Sequence, residues 1–330
     1  MTLPAMPYLA AHRAALFSGT AYALVAGLIW GLVFVAPILL PDYPAALLSF
    51  GRYLAFGLIA LPLAWLDRAR IAQLTRADWI EAAKLSLIGN IVYYLFLAAA
   101  IQHAGGPLPT VIIGTLPVVI AISSNLRDHA RDGRLRWRWL VLPLGLIALG
   151  IGLVNHSELA GLRQNASADF ARYALGALLA VGAVVCWTWY PMRNADWLRA
   201  HADRSPSTWA TAQGLATLPL ALLGYLAFAL WNRFSAAPLA MPWGPDPQRF
   251  VVLMLALGLL ASWLGTLCWN EASQRLPTTL VGQLIVFETL AALAYAFMLR
   301  GRAPDAATAC GITLLVVGVI AALRLKPRRH

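Results

Sequence analysis

The feature that most constrains this chain is a succession of apolar runs, each about as long as a helix that crosses a bilayer. Such a helix needs about 20 mostly apolar residues. Only 12% of the residues are charged, against about 25% in ordinary soluble domains. The runs predict an all-α integral membrane protein with ten spans: Phe17–Leu40, Ala45–Leu66, Trp79–Gln102, Pro107–Leu126, Trp137–Asn155, Phe170–Met192, Ser207–Trp231, Phe250–Ala272, Pro277–Met298 and Asp305–Leu325.

The distribution of positive charge predicts the orientation of these spans. Of the 25 lysines and arginines, 17 lie in or beside the two tails and the loops after spans 2, 4, 6 and 8. Positive residues favour the cytoplasmic side, so we expect both termini in the cytoplasm. The net charge of +11 is then explained by topology and by contact with membrane lipid, and we expect no nucleic-acid partner.

The two halves of the chain repeat. Gly19 and Trp30 are 11 residues apart in span 1. Gly176 and Trp187 have the same separation in span 6. Further matches pair Pro117 with Glu288, and Gly145 and Gly152 with Gly311 and Gly318. The spacing therefore predicts two related units.

Each predicted unit, residues 1–156 and 157–330, holds five spans. Because five is odd, the second unit must cross the membrane upside down relative to the first. Inverted repeats are a common plan for secondary transporters, since two such units can expose a central cavity to each side in turn. We therefore expect ten transmembrane helices as two inverted five-helix repeats.

Several short motifs resemble the EamA-type branch of the drug/metabolite transporter superfamily. The resemblance rests on the W-G-x-x-F-V pattern from Trp30 to Val35, the W-x-x-Y pattern from Trp187 to Tyr190, Tyr93-Tyr94, Leu116-Pro117-Val118 and Glu288. Thr289 stands where the family often has proline. The abundance of aromatic residues is similar to that of the YddG-like aromatic amino-acid exporters.

The resemblance implies a multi-pass protein of the bacterial plasma (inner) membrane that exports small solutes without a cofactor or metal. Amino acids with aromatic or other hydrophobic side chains are the first hypothesis. A multidrug or lipophilic-cation exporter of the same architecture is the alternative. We expect a monomer. The sequence lacks H-E-x-x-H, G-x-S-x-G and paired deep carboxylates, so an enzyme is not expected.

The deepest charges are the first candidates for a substrate site. Glu288 lies about 11 residues into span 9, which at about 1.5 Å per residue is near the bilayer centre. A carboxylate there is costly, so it contacts a substrate amine, carries a proton or stays protonated as a structural group. Arg52 attracts a carboxylate or anchors span 2 by reaching outward, and Gln213 lies at nearly the matching place in span 7.

Aromatic and neutral polar side chains complete the predicted site. Stacked rings hold an aromatic solute or the face of a cation, and amides either bind solute or join helices. The candidate substrate-binding residues are Trp30, Arg52, Asn90, Tyr93, Tyr94, Trp187, Tyr190, Gln213, Trp263, Gln283 and Glu288. Gly114 and Pro117 are the predicted hinge, since proline interrupts a helix and permits bending.

Overall fold

The computed structural model is helical throughout the residues that it describes, with no strand among them. The described residues are 5–40, 42–104, 112–127, 136–154, 156, 170–235, 237–301 and 303–324. We label the helices in chain order: α1 Ala5–Gly31, α2 Ala45–Leu66, α3 Arg76–Leu85 and Tyr93–Ala104, α4 Leu116–Leu126, α5 Trp137–Val154, α6 Phe170–Ala200, α7 Pro206–Asn232, α8 Pro247–Leu257 and Gly265–Arg275, α9 Thr278–Leu284 and Val286–Arg300, and α10 Ala306–Leu323.

Three helices are interrupted without reversing direction. Both α3 and α8 contain a seven-residue π-helical segment, Ser86–Val92 and Gly258–Leu264 respectively. In α9 a single turn at Ile285 separates the two helical parts. Short helices at Leu32–Phe34 and Val35–Leu39 continue α1.

Eight helices in the described part of the chain are long and apolar enough to cross a membrane. This agrees with an integral membrane protein, while α4 and the Ala306–Ala321 part of α10 are shorter apolar helices. For α4 the reason is partly one of coverage, because the predicted span 4 begins at Pro107 and residues 105–111 lie outside the described residues. Helix α1 starts 12 residues before the predicted span 1.

Two pairs of helices pack antiparallel along their length. In the pair of α2 and α7, Gly57 lies against Leu218 and Gly224 lies against Phe50. In the pair of α5 and α10, Gly311 approaches Val154, while Gly318 approaches Pro143 and Ile147. Small residues at these crossings let the backbones come close, as is usual between membrane helices.

A second pairing connects the two halves of the chain crosswise. Helix α1 runs antiparallel to α8, with Gly19 against Leu276 and Trp30 against Gly265. Helix α6 runs antiparallel to α3 in the same way, with Gly176 against Ala104. Trp30, at the end of α1, thereby meets Trp187, in the middle of α6.

Candidate functional site

The two π-helical segments supply the anchors of the site. A π-helical turn leaves backbone carbonyls without their usual partner, and such turns are frequent at functional sites. In α8 the carbonyl of Ala261 accepts a hydrogen bond from Trp30 Nε1 at 2.8 Å. The next residue, Ser262, accepts one from Arg52 Nε at 2.9 Å. The α8 segment therefore fixes one aromatic and one cationic candidate.

The corresponding segment of α3 holds the other side of the site. Asn90 Nδ2 donates to Thr217 Oγ1 of α7 at 3.1 Å. Ser86 Oγ donates to the carbonyl of Gln213 at 3.0 Å. Tyr93 and Tyr94 follow directly where the α-helix resumes.

A glycine lies beneath a large ring in each of these helices. A Cβ added at Gly89 would lie 2.2 Å from the Tyr190 ring, and one at Gly265 would lie 2.6 Å from Trp30 Nε1. Neither distance leaves room for a side chain at these positions, so both glycines are required for the rings to pack against the backbone of the helix.

Four of the predicted aromatic residues form one continuous stack. The Trp187 ring lies parallel to Tyr190 at 5.1 Å and stacks on Tyr93 at 4.8 Å between centroids. Trp30 meets the edge of Trp187 at 5.9 Å. Trp269, which the sequence interpretation missed, lies 5.1 Å from Trp30 on its other side. Each such pair contributes about 0.5–1.5 kcal/mol beyond its buried area.

Two ionisable side chains lie near this stack. Arg52 comes from α2 and Glu288 from α9, and the two lie within electrostatic reach of each other. Tyr93 lies within the electrostatic reach of both. The Arg52 guanidinium also lies 5.0 Å from the centre of the neighbouring Tyr53 ring. No direct Arg52–Glu288 ion pair is found among the described residues, so each group can receive a charged part of a solute.

Burial divides the candidates into two layers. The half-buried ones are Arg52, Asn90, Tyr93, Tyr94, Trp187, Trp263 and Glu288. The buried ones are Trp30, Tyr190, Gln213 and Gln283. The half-buried residues include aromatic rings, a guanidinium and a carboxyl group that a solute could contact, whereas the buried ones are enclosed by the protein.

The side chain of Gln213 is fully used by the protein. Its Oε1 accepts from the Tyr190 hydroxyl at 2.8 Å, and its Nε2 donates to Asn194 Oδ1 at 3.1 Å. Trp263 Nε1 donates to Thr211 Oγ1 at 3.0 Å. Thr211 lies on α7, two residues before Gln213. The structure thus joins Gln213 to the stack through Tyr190 and places Trp263 apart from it.

The side chain of Gln283, unlike that of Gln213, is buried without such hydrogen bonds to the described residues. Its side chain is only 1% exposed, yet neither Nε2 nor Oε1 has a hydrogen-bond partner in the described part of the chain. A buried amide without partners costs about 1–3 kcal/mol. Gln283 is therefore a buried amide whose hydrogen-bonding groups are left unused by the described residues.

A set of polar side-chain contacts joins the two halves of the chain at one end of the bundle, which we call the basic end. Each contact joins a residue before 156 to one after 170. Arg193 forks onto the Glu81 carboxylate at 2.5 and 3.1 Å. Trp197 Nε1 donates to Asp78 at 3.0 Å. Further contacts pair Arg127 with Asp196, Thr208 with Asp67 and Arg204 with Gln73. These loops and helix ends are those that the charge count places in the cytoplasm.

The predicted hinge residues lie at a break in the fourth helix. Gly114 and Thr115 form a turn, and α4 begins at Leu116 with Pro117 in its first turn. The turn at Ile285 lies three residues before Glu288. The chain therefore breaks just before both positions that the sequence pairs, although Thr289 replaces the proline of the family.

Sequence reasoning missed several residues that hold the candidates in place. Ser262 and Thr217 carry ordinary small polar side chains that nothing in the sequence distinguishes. Trp269 lies close to the predicted end of span 8, where tryptophan is explained by its preference for membrane interfaces. Asn194 and Asn270 fall at or beyond predicted span ends, so their burial has no sequence signal.

Comparisons with known proteins agree with this architecture. The profile of the EamA-like transporter family matches residues 17–155. The chain is 52% identical over 315 residues to "Inner membrane protein YtfF" of Escherichia coli, covering 95% of this chain and 97% of that one. It is 23% identical over 275 residues to an "Uncharacterized transporter" of Archaeoglobus fulgidus, covering 82% and 85%.

A solved structure titled "Crystal structure of protein" superposes with a TM-score of 0.71 at 20% identity, over 92% of this chain and 96% of that one. At this identity the match supports the fold alone. The 52% identity over nearly the whole length of both chains, together with the family profile, carries the assignment. The chain therefore belongs to the EamA-like transporter family of the drug/metabolite transporter superfamily.

Proposed function

We propose that this protein moves small zwitterionic solutes, namely amino acids with aromatic or other hydrophobic side chains, across the bacterial inner membrane by alternating access. The observation that carries the proposal is the half-buried pair of Arg52 and Glu288 beside the Tyr93–Trp187 stack. Arg52 receives the solute carboxylate, Glu288 receives the ammonium group, and the rings receive the apolar side chain. This assigns the protein to the aromatic amino-acid exporter branch.

The proposal includes ten spans in two inverted repeats, residues 1–156 and 157–330. Equivalent helices of the two repeats, α2 with α7 and α5 with α10, lie antiparallel as an in-plane axis requires. The crosswise pairs α1–α8 and α3–α6 are also equivalent under that axis. The π-helical segments lie about ten residues into α3 and α8. These correspondences support the repeat.

The inner-membrane location and the cytoplasmic termini are part of the same proposal. The printed name of the relative in Escherichia coli supports the former, and the charge count supports the latter. Alternating access needs a cavity that opens to each side in turn. In this structure the basic end is closed by contacts between the repeats, so the proposed cycle must break them. Bending at Gly114 and Pro117 is the proposed hinge motion.

A lipophilic-cation exporter is the second candidate, favoured by Glu288 beside aromatic rings, which suits cation binding. Arg52 discriminates between the two, since a guanidinium attracts a carboxylate but repels a cation. Replacing Arg52 is expected to weaken amino-acid transport and to leave or improve cation transport. The same replacement would weaken neither if Arg52 only anchors α2.

The experiment is counterflow in proteoliposomes with a panel of radiolabelled amino acids, in competition with quaternary amines. A hydrogen bond to a charged group contributes about 1.5–3 kcal/mol, so Arg52→Gln and Glu288→Gln should each raise the KM for L-phenylalanine by about tenfold to a hundredfold. Arg249→Gln is the matched control, because Arg249 is exposed at the start of α8 and pairs with Asp246.

Trp187→Leu should raise the same KM by removing the face on which the solute ring stacks. Trp30→Leu should do so through the loss of its edge contact with Trp187. Unchanged transport in the Trp30, Trp187 and Glu288 variants together would contradict the proposed site. Competition by quaternary amines but not by amino acids would favour the second candidate.

A further inference from the structure

A chain of buried amides runs from the aromatic stack to the basic end. Tyr190 donates its hydroxyl to Gln213, Gln213 donates to Asn194, and Asn194 Nδ2 donates to Asn270 Oδ1 at 2.8 Å. Asn270 Nδ2 then donates to the carbonyl of Pro206 at 3.2 Å. In every bond the donor lies on the side of the aromatic stack and the acceptor on the side of the basic end, so the row of amides has a single polarity.

That polarity is fixed by groups that cannot reverse their roles. The backbone carbonyl of Pro206 can only accept. Trp209 Nε1 can only donate, and it donates to Asn194 Oδ1 at 2.9 Å. Asn194 must therefore present its oxygen to Gln213 and its nitrogen to Asn270. Amide orientation is otherwise ambiguous, but here the network leaves one arrangement.

The orientation of Asn194 decides that of Gln213. With Asn194 Oδ1 as acceptor, Gln213 must turn Nε2 toward it and Oε1 toward Tyr190. The Tyr190 hydroxyl thus has a fixed acceptor in Gln213 Oε1. Held in this way, the Tyr190 ring stays parallel to Trp187, with 3° between the two planes.

We propose that Asn194 is a positioning residue for the aromatic site: through Gln213 it fixes the Tyr190 hydroxyl, and thereby the Trp187 face that a solute ring contacts. Asn194 is fully buried, and its hydrogen-bonded link to Tyr190 runs through Gln213. The effect on solute affinity rests on the proposed function, whereas the effect on Tyr190 does not.

The test compares two buried asparagines in adjacent positions of the chain of amides. Asn194→Leu removes the acceptor of Gln213, while Asn270→Leu breaks the chain one step further away and leaves that acceptor in place. Both side chains are 0% exposed, so both variants lose stability for the same reason. Asn194→Asp is the rescue variant, because a carboxyl oxygen still accepts from Gln213 and Trp209 in either protonation state. If Asn194→Leu does not fold, Asn194→Ala replaces it, since water can then reach the stranded donors.

The first readout needs no ligand. The protein is labelled with 3-fluorotyrosine, and the ¹⁹F resonance of Tyr190 is assigned by its loss in Tyr190→Phe among the 10 tyrosines. We expect Asn194→Leu to shift or broaden this resonance and Asn270→Leu to leave it unchanged. We expect Asn194→Asp to restore it. An unshifted resonance in Asn194→Leu, or equal shifts in Asn194→Leu and Asn270→Leu, would overturn the proposal.

The second readout is the KM for L-phenylalanine counterflow in proteoliposomes, compared with the melting temperature of each variant. We expect Asn194→Leu to raise the KM by about tenfold, equivalent to 1.4 kcal/mol, and Asn194→Asp to return it close to the wild-type value. A KM that simply follows melting temperature across the variants would reduce Asn194 to a stability residue. If the wild-type protein moves no amino acid, the proposed function fails, while the ¹⁹F result still decides the role of Asn194.

Discussion

Two glutamines in this bundle provide an unusually direct test of how buried amides contribute to stability. Gln213 and Gln283 are each 1% exposed. Gln213 uses both side-chain atoms in hydrogen bonds at 2.8 and 3.1 Å, whereas Gln283 uses neither within the described residues. The same substitution by methionine, which has a similar shape and no hydrogen-bonding demand, should therefore act in opposite directions.

The magnitudes follow from the contacts. Gln283→Met removes a buried amide that forms no hydrogen bond with the described residues, so it should stabilise the protein by about 1–3 kcal/mol. Gln213→Met removes the acceptor of the Tyr190 hydroxyl and one of the two donors to Asn194 Oδ1, and should cost about 1–3 kcal/mol. At about 2 °C per kcal/mol for a chain of this size, the two melting temperatures should move apart by several degrees on either side of the wild type.

The assay is the melting temperature of detergent-solubilised protein, measured together with counterflow rates. Leu284→Met is the control for methionine itself, since Leu284 is the equally buried neighbour of Gln283 and such apolar exchanges usually cost less than about 1.5 kcal/mol. A stabilised Gln283→Met should also transport more slowly, because the closed state that it favours must open. If Gln283→Met lowers the melting temperature as much as Gln213→Met does, the reasoning is refuted.

Three further predictions concern the packing of the helices, the basic end and the orientation. Gly150→Ala should destabilise the α5–α10 pair by about 1–3 kcal/mol, because its Cβ would lie 2.8 Å from the carbonyl oxygen of Gly311, whereas Gly152→Ala has open space and should be neutral or slightly stabilising in thermal melts. Glu81→Arg or Arg193→Glu alone should impair counterflow, and the double exchange should restore it; a double variant no better than either single one would show that the Glu81–Arg193 pair is not needed for closure. A fluorescent protein fused to either terminus should fluoresce in cells and an alkaline phosphatase fused there should be inactive, and the reverse at either end would contradict the assigned orientation.

The parts of the site that the sequence predicted are those with a long-range pattern. Trp30 and Trp187 were selected because each follows a glycine by 11 residues, and the structure shows why that spacing repeats. Gly19 and Gly176 each meet the end of a partner helix, which leaves both tryptophans pointing into the same central space. Glu288 was predicted from its depth, its match with Pro117 and the resemblance to the family, and its half-buried position fits a carboxyl group that faces a solute.

The parts that the sequence did not predict depend on contacts between distant residues. Hydrophobic periodicity cannot register a π-helical segment such as Ser86–Val92, because the run stays apolar through it. It also treats Gln213 and Gln283 alike, although one is satisfied and the other is not. That difference is set by contacts of Gln213 with Asn194 and Tyr190 on another helix. The W-x-x-Y pattern selected Tyr190, but nothing in the sequence pairs it with Gln213.

The proposed cycle requires the basic end to reopen, and the contacts there bear on how much that opening costs. Partly exposed ion pairs such as Arg127–Asp196 contribute little each, on the order of 0–1 kcal/mol, whereas the Glu81 carboxylate that Arg193 holds is buried. Gln283 opposes them in the proposed closed state, since its amide is buried with no partner among the described residues, and a buried amide without partners costs about 1–3 kcal/mol. On the proposed cycle, a solute that gains about 1.4 kcal/mol more in one state than in the other would change the ratio of the two states tenfold, so contacts of this size can be overcome by solute binding at each turnover.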